Sequence, residues 1–185
     1  YHPNPLGRGL RKGETSTIAL LVSDIANPFF PDVARGVEDC ARTNGYNLIL
    51  CNTDENPSME KHYLSLLKGR KIDGFIIAPT ADGIKNLRGL IDERIPIVLI
   101  DRKVERIEVD QVYSDNVGGA DQAVQHLIKI GHRNIGIILE ITEIGSFADR
   151  LSGYKKALRD NGIEVRKGYI KQAGLEIDGA YAATK

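Results

Sequence analysis

Two thiols, Cys40 and Cys51, are all the cysteine in 185 residues. That is too few for a disulfide framework, and no CxxC pair offers metal-ligand spacing. The expectation is two small buried thiols in a reducing compartment. No apolar run approaches the roughly 18 residues that a membrane span requires. The opening Tyr1-His2-Pro3-Asn4 has neither the charged start nor the apolar stretch of a secretory signal. Nor does the chain begin with Met, so an upstream segment is expected to have been removed, with any signal or domain it carried. Net charge is missing too: 25 basic side chains balance 25 acidic ones. A balanced core does not coat nucleic acid by bulk charge. Its local distribution differs, because Arg8, Arg11 and Lys12 precede the first acid, Glu14. What is present is a 42% hydrophobic share, enough for a core at a length of one domain or slightly more.

Signatures of catalysis are also missing. No GxGxxG comes after the first strand pattern, and there is no GxxxxGK[ST] phosphate loop and no GxSxG elbow. The histidines are His2, His62, His126 and His132. None pairs with another at zinc-ligand spacing. His62 and His126 read as helix-surface residues, and His132 sits in the turn Gly131-His132-Arg133-Asn134. Carboxylates are abundant but scattered, so no acid–base pair stands out. The expectation is no enzyme, no catalytic residue, no metal and no cofactor.

Strand and helix patterns alternate. Residues 17–22 (TIALLV) form a continuous apolar run, as a strand covered on both faces should. Phe30, Val33, Ala34, Val37 and Ala41 then recur at helical steps, ended by Asn44-Gly45. Further strand patterns lie at 46–51 (YNLILC), 72–78 (IDGFIIA), 97–100 (IVLI) and 135–139 (IGIIL). Helical patterns place Leu64 and Leu67 inward, span 84–93, run from an Asn116 cap through Ala120, Val124 and Ile128, and continue with Phe147, Leu151, Tyr154 and Leu158. A last strand is expected near 168–173, with Asp178 capping a final helix. Strands joined through helices run parallel, so the expected fold class is α/β with a doubly wound parallel sheet. Ligands of such sheets bind at the carboxyl ends of the strands. That rule points to the loops at 23–30, 52–56, 79–83 and 101–103.

Two segments are specific. The first is Asn27-Pro28-Phe29-Phe30 directly after the first strand. The second is VYSDNVGGADQAVQHLIKIGHRNIGII over residues 112–138. With Asp73-Gly74 and Arg150-Leu151-Ser152-Gly153-Tyr154, they closely resemble the regulatory core of the LacI/GalR family of bacterial transcription regulators. The resemblance runs over essentially the whole chain and is specific to the family, not to one effector. It implies a periplasmic-binding-protein-like core of two lobes, here a first lobe at 14–130 and the start of a second at 131–185. Family cores continue further, so the second lobe is expected to be incomplete, to expose apolar surface and to bind effector weakly alone.

The first 13 residues resemble the family's DNA-contacting hinge. Asn4 is a good N-cap, Pro5 suits the first helical position, and Leu6 and Leu10 lie four apart on one face. Arg8, Arg11 and Lys12 supply phosphate-seeking charge. The resemblance gives Asn4, Leu6, Arg8, Leu10 and Arg11 to operator DNA, with Leu10 as the minor-groove wedge. Gly7 stands where the family usually has alanine, and Gly9 adds a second glycine; each costs a helix about 1 kcal/mol. The hinge is therefore expected to fold only on DNA. A simple basic linker is the competing reading.

The effector class that the resemblance implies is a sugar or sugar phosphate, held in the cleft between the lobes. Candidate contacts are Asp24, Phe29, Phe30, Asn52 and Asp54 in the first lobe, and Ser146 and Arg150 in the second. An aromatic ring at Phe29 or Phe30 can stack on a sugar, although Phe30 also fits the inward helical period and competes as a core residue. Asp24 can accept from hydroxyls or cap a turn. Arg150, one turn after Ser146, offers a planar five-donor fork, with a surface ion pair as its alternative. The family implies a cytoplasmic homodimer, with no membrane partner, whose effector alters operator affinity allosterically. The helices near 29–44 and 58–68 are candidate dimer surfaces. A periplasmic sugar-binding protein serving a transporter shares the fold and is the alternative reading.

Overall fold

The computed structural model describes residues 14–81, 83–140, 145–174 and 177–185. The hinge residues Asn4, Leu6, Arg8, Leu10 and Arg11 lie outside the described residues. The elements are β1 (Thr17–Val22), α1 (Phe29–Thr43), β2 (Asn47–Asn52), α2 (Pro57–Gly69), β3 (Gly74–Ile77), α3 (Ile84–Asp92), β4 (Ile97–Ile100) and β5 (Asp110–Val112). They continue with α4 (Asn116–Lys129), β6 (Ile137–Leu139), α5 (Ser146–Asp160), a 3-10 turn (Lys167–Tyr169), β7 (Ile170–Gln172) and α6 (Ile177–Thr184). The first five strands form one sheet in the order β2-β1-β3-β4-β5, parallel throughout. β6 and β7 pair in parallel as a second, two-stranded sheet. The doubly wound parallel architecture expected from the sequence is therefore present. No helix among the described residues is long and apolar enough to cross a membrane.

The continuous apolar run of β1 reflects burial on both faces. Successive strand residues point to opposite sides. Ala19 and Leu21 join Phe75, Ile77 and Leu99 under Leu64 and Leu67 of α2 and Leu87 and Leu90 of α3. Leu20 and Val22 turn the other way, to Phe30 of α1 and to Ala78. These four β1 side chains are fully buried. Helix α2 has a complete start signal: Asn56 accepts from Ser58 and Met59 N–H, and Pro57 occupies the first turn. Cys51 is buried as expected, whereas Cys40 is exposed, in an open groove that it lines with Ile18 and Ile76.

The described residues divide into two compact units, parted between Tyr113 and Ser114. This division falls earlier than the boundary at residue 130 expected from the sequence. The reason is the packing of α4. Val124 and Ile128 of α4 share a core with Ile135 and with Tyr154, Ala157 and Leu158 of α5. Helix α4 thus belongs with α5, in the second unit. Its cap is also displaced by one residue: Asp115 accepts from Gly118 N–H, and Asn116 is the first helical residue. Asp178 likewise sits inside the first turn of α6 rather than before it. In the Gly131-His132-Arg133 turn, Gly131 takes φ 102° and Arg133 Nη1 donates to the Ile128 carbonyl at 3.0 Å, closing α4. The second unit exposes Ile130, Ile138, Ile177 and Tyr181.

Candidate functional site

In the first unit the order of strands reverses between β1 and β3, and the loops after their carboxyl ends carry the polar candidates. After β1, Asp24 Oδ1 accepts from Ala26 N–H at 2.8 Å. Asn27 Oδ1 accepts from Phe29 N–H at 3.1 Å, and the Asn27 carbonyl accepts from Phe30 N–H at 3.1 Å. The Asn27-Pro28-Phe29-Phe30 run therefore works as a helix start that sets the direction of two rings. These rings meet edge to face at 5.1 Å. Phe30 is 3% exposed and packs on Leu20 and Val22, whereas Phe29 is 44% exposed. Of the two readings open for Phe30, its burial favours the core one, where full burial is worth roughly 2–3 kcal/mol.

Asn52 and Asp54 are brought together after β2. Asn52 Oδ1 accepts from Ile25 N–H at 3.0 Å, and Asn52 Nδ2 donates to Asp54 Oδ1 at 2.6 Å. The amide thereby ties the loop after β1 to the end of β2. Asp54 and Glu55 both adopt left-handed φ, at 48° and 52°, as does Asp101 after β4 at 69°. Such strain in non-glycine residues clusters at functional loops.

Two further residues had no place among the sequence candidates. Arg102, in the loop at the carboxyl end of β4, makes a two-pronged pair with Glu55: Nη1 to Oε2 at 3.0 Å and Nη2 to Oε1 at 2.6 Å. Its Nη1 also reaches the Pro79 carbonyl at 3.3 Å, so one guanidinium bridges the ends of β2, β3 and β4. Glu60 is fully buried, although it lies on a helix. Its carboxylate accepts from Thr80 N–H at 2.8 Å and from Asn86 Nδ2 at 2.9 Å, bracing the loop after β3. A signal existed, since Glu60, Leu64 and Leu67 share one helical face.

The second unit carries Arg150 and Ser146 on α5. Ser146 is buried in the first turn. Arg150 Nε donates to Asn116 Oδ1 at 2.9 Å, and the guanidinium carbon lies 5.3 Å from the Phe147 ring centre. These groups rim a cavity of about 750 Å³. Its floor is apolar, with Val124, Leu127 and Ile137, while Ser114, Asn116 and Arg150 supply polar groups. Ser146 does not line this cavity, so the structure does not unite the two α5 candidates there. Close approach of α4 and α5 explains the glycine of the Arg150-to-Tyr154 motif: a Cβ on Gly153 would run into the Val117 carbonyl. Tyr154 is anchored by its hydroxyl, which donates to the Ile135 carbonyl at 2.8 Å. Among the described residues, no group of His, Cys, Asp and Glu is arranged to hold a metal ion.

Known proteins are similar to this chain in sequence and fold. The family described as periplasmic binding proteins and sugar binding domain of LacI family matches residues 15–185. The ribose operon repressor of Halalkalibacterium halodurans is 35% identical over 185 residues, covering 100% of this chain and 54% of that protein. Catabolite control protein A of Priestia megaterium is 33% identical over 186 residues, covering 100% of this chain and 56% of its own. A crystal structure of a LacI family transcriptional regulator from Enterococcus faecium with bound ribose superposes with a TM-score of 0.79 at 31% identity, covering 91% of this chain and 61% of that one. The chain thus spans about half the length of the curated relatives it matches.

Proposed function

The chain belongs to the family of periplasmic binding proteins and LacI-type sugar-binding domains, and from that premise we propose that it is the effector-sensing core of a transcription regulator. The effector is a sugar or sugar phosphate. Arg150 of the second unit contacts it. The observation that carries this reading is the Arg150 fork. Its Nε is fixed by Asn116 and its face by Phe147, while no described residue accepts from its Nη atoms. A planar donor pair left open beside an apolar cavity suits a hydroxyl-rich or anionic small molecule.

The curated relatives support the regulatory half of the proposal, being a ribose operon repressor and a catabolite control protein. On this reading effector binding changes the fit of a homodimer to a two-fold operator, through the basic segment before Glu14. The protein acts in the cytoplasm. Its effector induces or recruits according to which conformation it binds better.

Calorimetric titration of the gene product with D-ribose, fructose 1-phosphate and cellobiose tests the first half. Binding of one of these, weakened at least tenfold by Arg150→Ala, is the expected result. Anisotropy of a labelled palindromic duplex, with and without the bound sugar, tests the second half. Sugar binding with no change in duplex affinity would favour a transport-binding protein, and absence of sugar binding would overturn the effector reading.

A further inference from the structure

Arg150 is exposed and sits on the first turn and a half of α5, with long, flexible geometry of its own. An arginine left to itself there would sample many rotamers, and ordering it would cost side-chain entropy of up to about 2 kcal/mol. The side chain is instead held at two points. Nε donates to Asn116 Oδ1 at 2.9 Å, and the guanidinium stacks over Phe147 at 5.3 Å. The Asn116 amide is itself oriented. Its Nδ2 donates to the Ser114 carbonyl at 3.1 Å, which assigns the oxygen to the side facing Arg150. Helix α4 begins at Asn116 because Asp115 caps it, so the backbone beneath the amide is fixed as well.

We infer that Asn116 is a positioning residue for Arg150, presetting the guanidinium so that both Nη groups face outward as a ready donor pair. The inference rests on the proposed effector role of Arg150. Asn116 lines the cavity, but its amide nitrogen and oxygen are engaged by Ser114 and Arg150; it lowers the ordering cost that the ligand would otherwise meet. Phe147 completes the arrangement by blocking one face of the guanidinium and leaving one edge for recognition.

The consequence is a coupling that a helix-start residue would lack. Asn116→Ala removes the acceptor and releases Arg150. Asn116→Asp keeps an oxygen in place and converts the contact to an ion pair. Asp115→Ala weakens the start of α4 while leaving the Asn116 oxygen untouched, and so separates helix fraying from positioning.

The test has two readouts on the whole gene product. The first needs no ligand: solvent exchange of the Arg150 Nε–H in nitrogen-15 spectra, with its cross-peak to the Phe147 ring. Asn116→Ala should speed exchange about fivefold or more and erase the cross-peak, in keeping with loss of one hydrogen bond. Asn116→Asp and Asp115→Ala should retain both signals. Unchanged Arg150 signals in Asn116→Ala would overturn the inference. The second readout is D-ribose affinity in a double-mutant cycle. Asn116→Ala should weaken binding about fivefold in the wild-type background and negligibly in Arg150→Ala. Additive losses would overturn the inference. If the wild-type protein binds none of D-ribose, fructose 1-phosphate and cellobiose, the sugar reading fails, while the spectroscopic readout still decides whether Asn116 positions Arg150.

Discussion

Gly153 of α5 passes the Val117 carbonyl of α4 so closely that a side chain has no room between them: a Cβ there would also come within 2.9 Å of Ala120 Cβ and 3.0 Å of Asp121 N. The obstruction is largely backbone, which cannot swing aside. Gly153→Ala should therefore separate α4 from α5 and destabilise the second unit by about 2–4 kcal/mol. Urea unfolding measures this. Ser152→Ala, at an exposed neighbour, should stay within about 0.5 kcal/mol of the parent. A neutral or stabilising Gly153→Ala, which the higher helix propensity of alanine alone would give, would show that the crowding costs little.

Tyr154, one residue on, is 1% exposed and donates its hydroxyl to the Ile135 carbonyl. Burial, with a smaller contribution from Tyr169, pushes its pKa above the ordinary tyrosine value. The folded state thus keeps the proton longer than the unfolded chain does. Its stabilising contribution is complete below the unfolded pKa, near 10, and is lost as pH rises through the higher folded value. Tyr154→Phe should cost about 1 kcal/mol at neutral pH and flatten the alkaline fall in stability. An unchanged alkaline profile in that variant would assign the fall to other groups.

Sequence patterns reveal an element when the force that makes it acts locally. The apolar run of β1 and the inward period of α1 and α5 encode burial directly, so the parallel sheet and its helices could be read. The end of the first unit could not. Val124 and Ile128 are apolar on one face whichever unit they serve, and only contact with Tyr154 and Ala157 assigns them to the second. The site was legible in part. Phe30 fits the inward helical period, and it is that ring which enters the core. That Asn52, a candidate contact, also ties Ile25 to Asp54 is seen only in the structure. Asn116 read as a cap because the Asp115–Gly118 bond is invisible in a string of letters.

Away from the candidate site, Lys71 and Arg94 come after helices α2 and α3 with φ of 55° and 56°. Gly45 and Gly162 take the equivalent left-handed position after α1 and α5, at 78° and 67°. A side chain in that conformation costs roughly 1 kcal/mol that glycine does not. Lys71→Gly and Arg94→Gly should each raise stability by up to about 1 kcal/mol, offset in part by the greater freedom of glycine in the unfolded chain. Thermal unfolding of the two variants checks this, and a lowered midpoint would show that unfolded-state entropy outweighs the relief.

Glu60 should behave in the opposite way. It is fully buried, and its two bonds satisfy Thr80 N–H and one hydrogen of Asn86. Glu60→Ala would leave the Thr80 N–H without its acceptor beside Thr80 Oγ1, which is already buried and unpartnered among the described residues. The expected cost is about 2–4 kcal/mol. Hydrogen exchange at Thr80 should speed up before exchange in β3 does, because the loop loosens first. A uniform change across β3 and the loop would mean that Glu60 supports the whole sheet instead.

The Arg102–Glu55 pair sets a contrast with the exposed charges of α1. Arg102 is 16% exposed and grips Glu55, itself 38% exposed, with two parallel bonds. Arg35 and Asp39 also form an ion pair, at 3.1 Å, but their side chains are 69% and 44% exposed. Solvent screens the second pair almost fully, and the entropy of holding two long side chains cancels much of what remains. Partial burial and two-pronged geometry protect the first. Double-mutant cycles to alanine should give a coupling of about 1–2 kcal/mol for Arg102–Glu55 and no measurable coupling for Arg35–Asp39. Because Arg102 also reaches the Pro79 carbonyl, Arg102→Ala should cost more than Glu55→Ala. The reverse order would mean that the bridge to β3 contributes little and that left-handed Glu55 is held in place by its backbone bond to the Ser23 carbonyl.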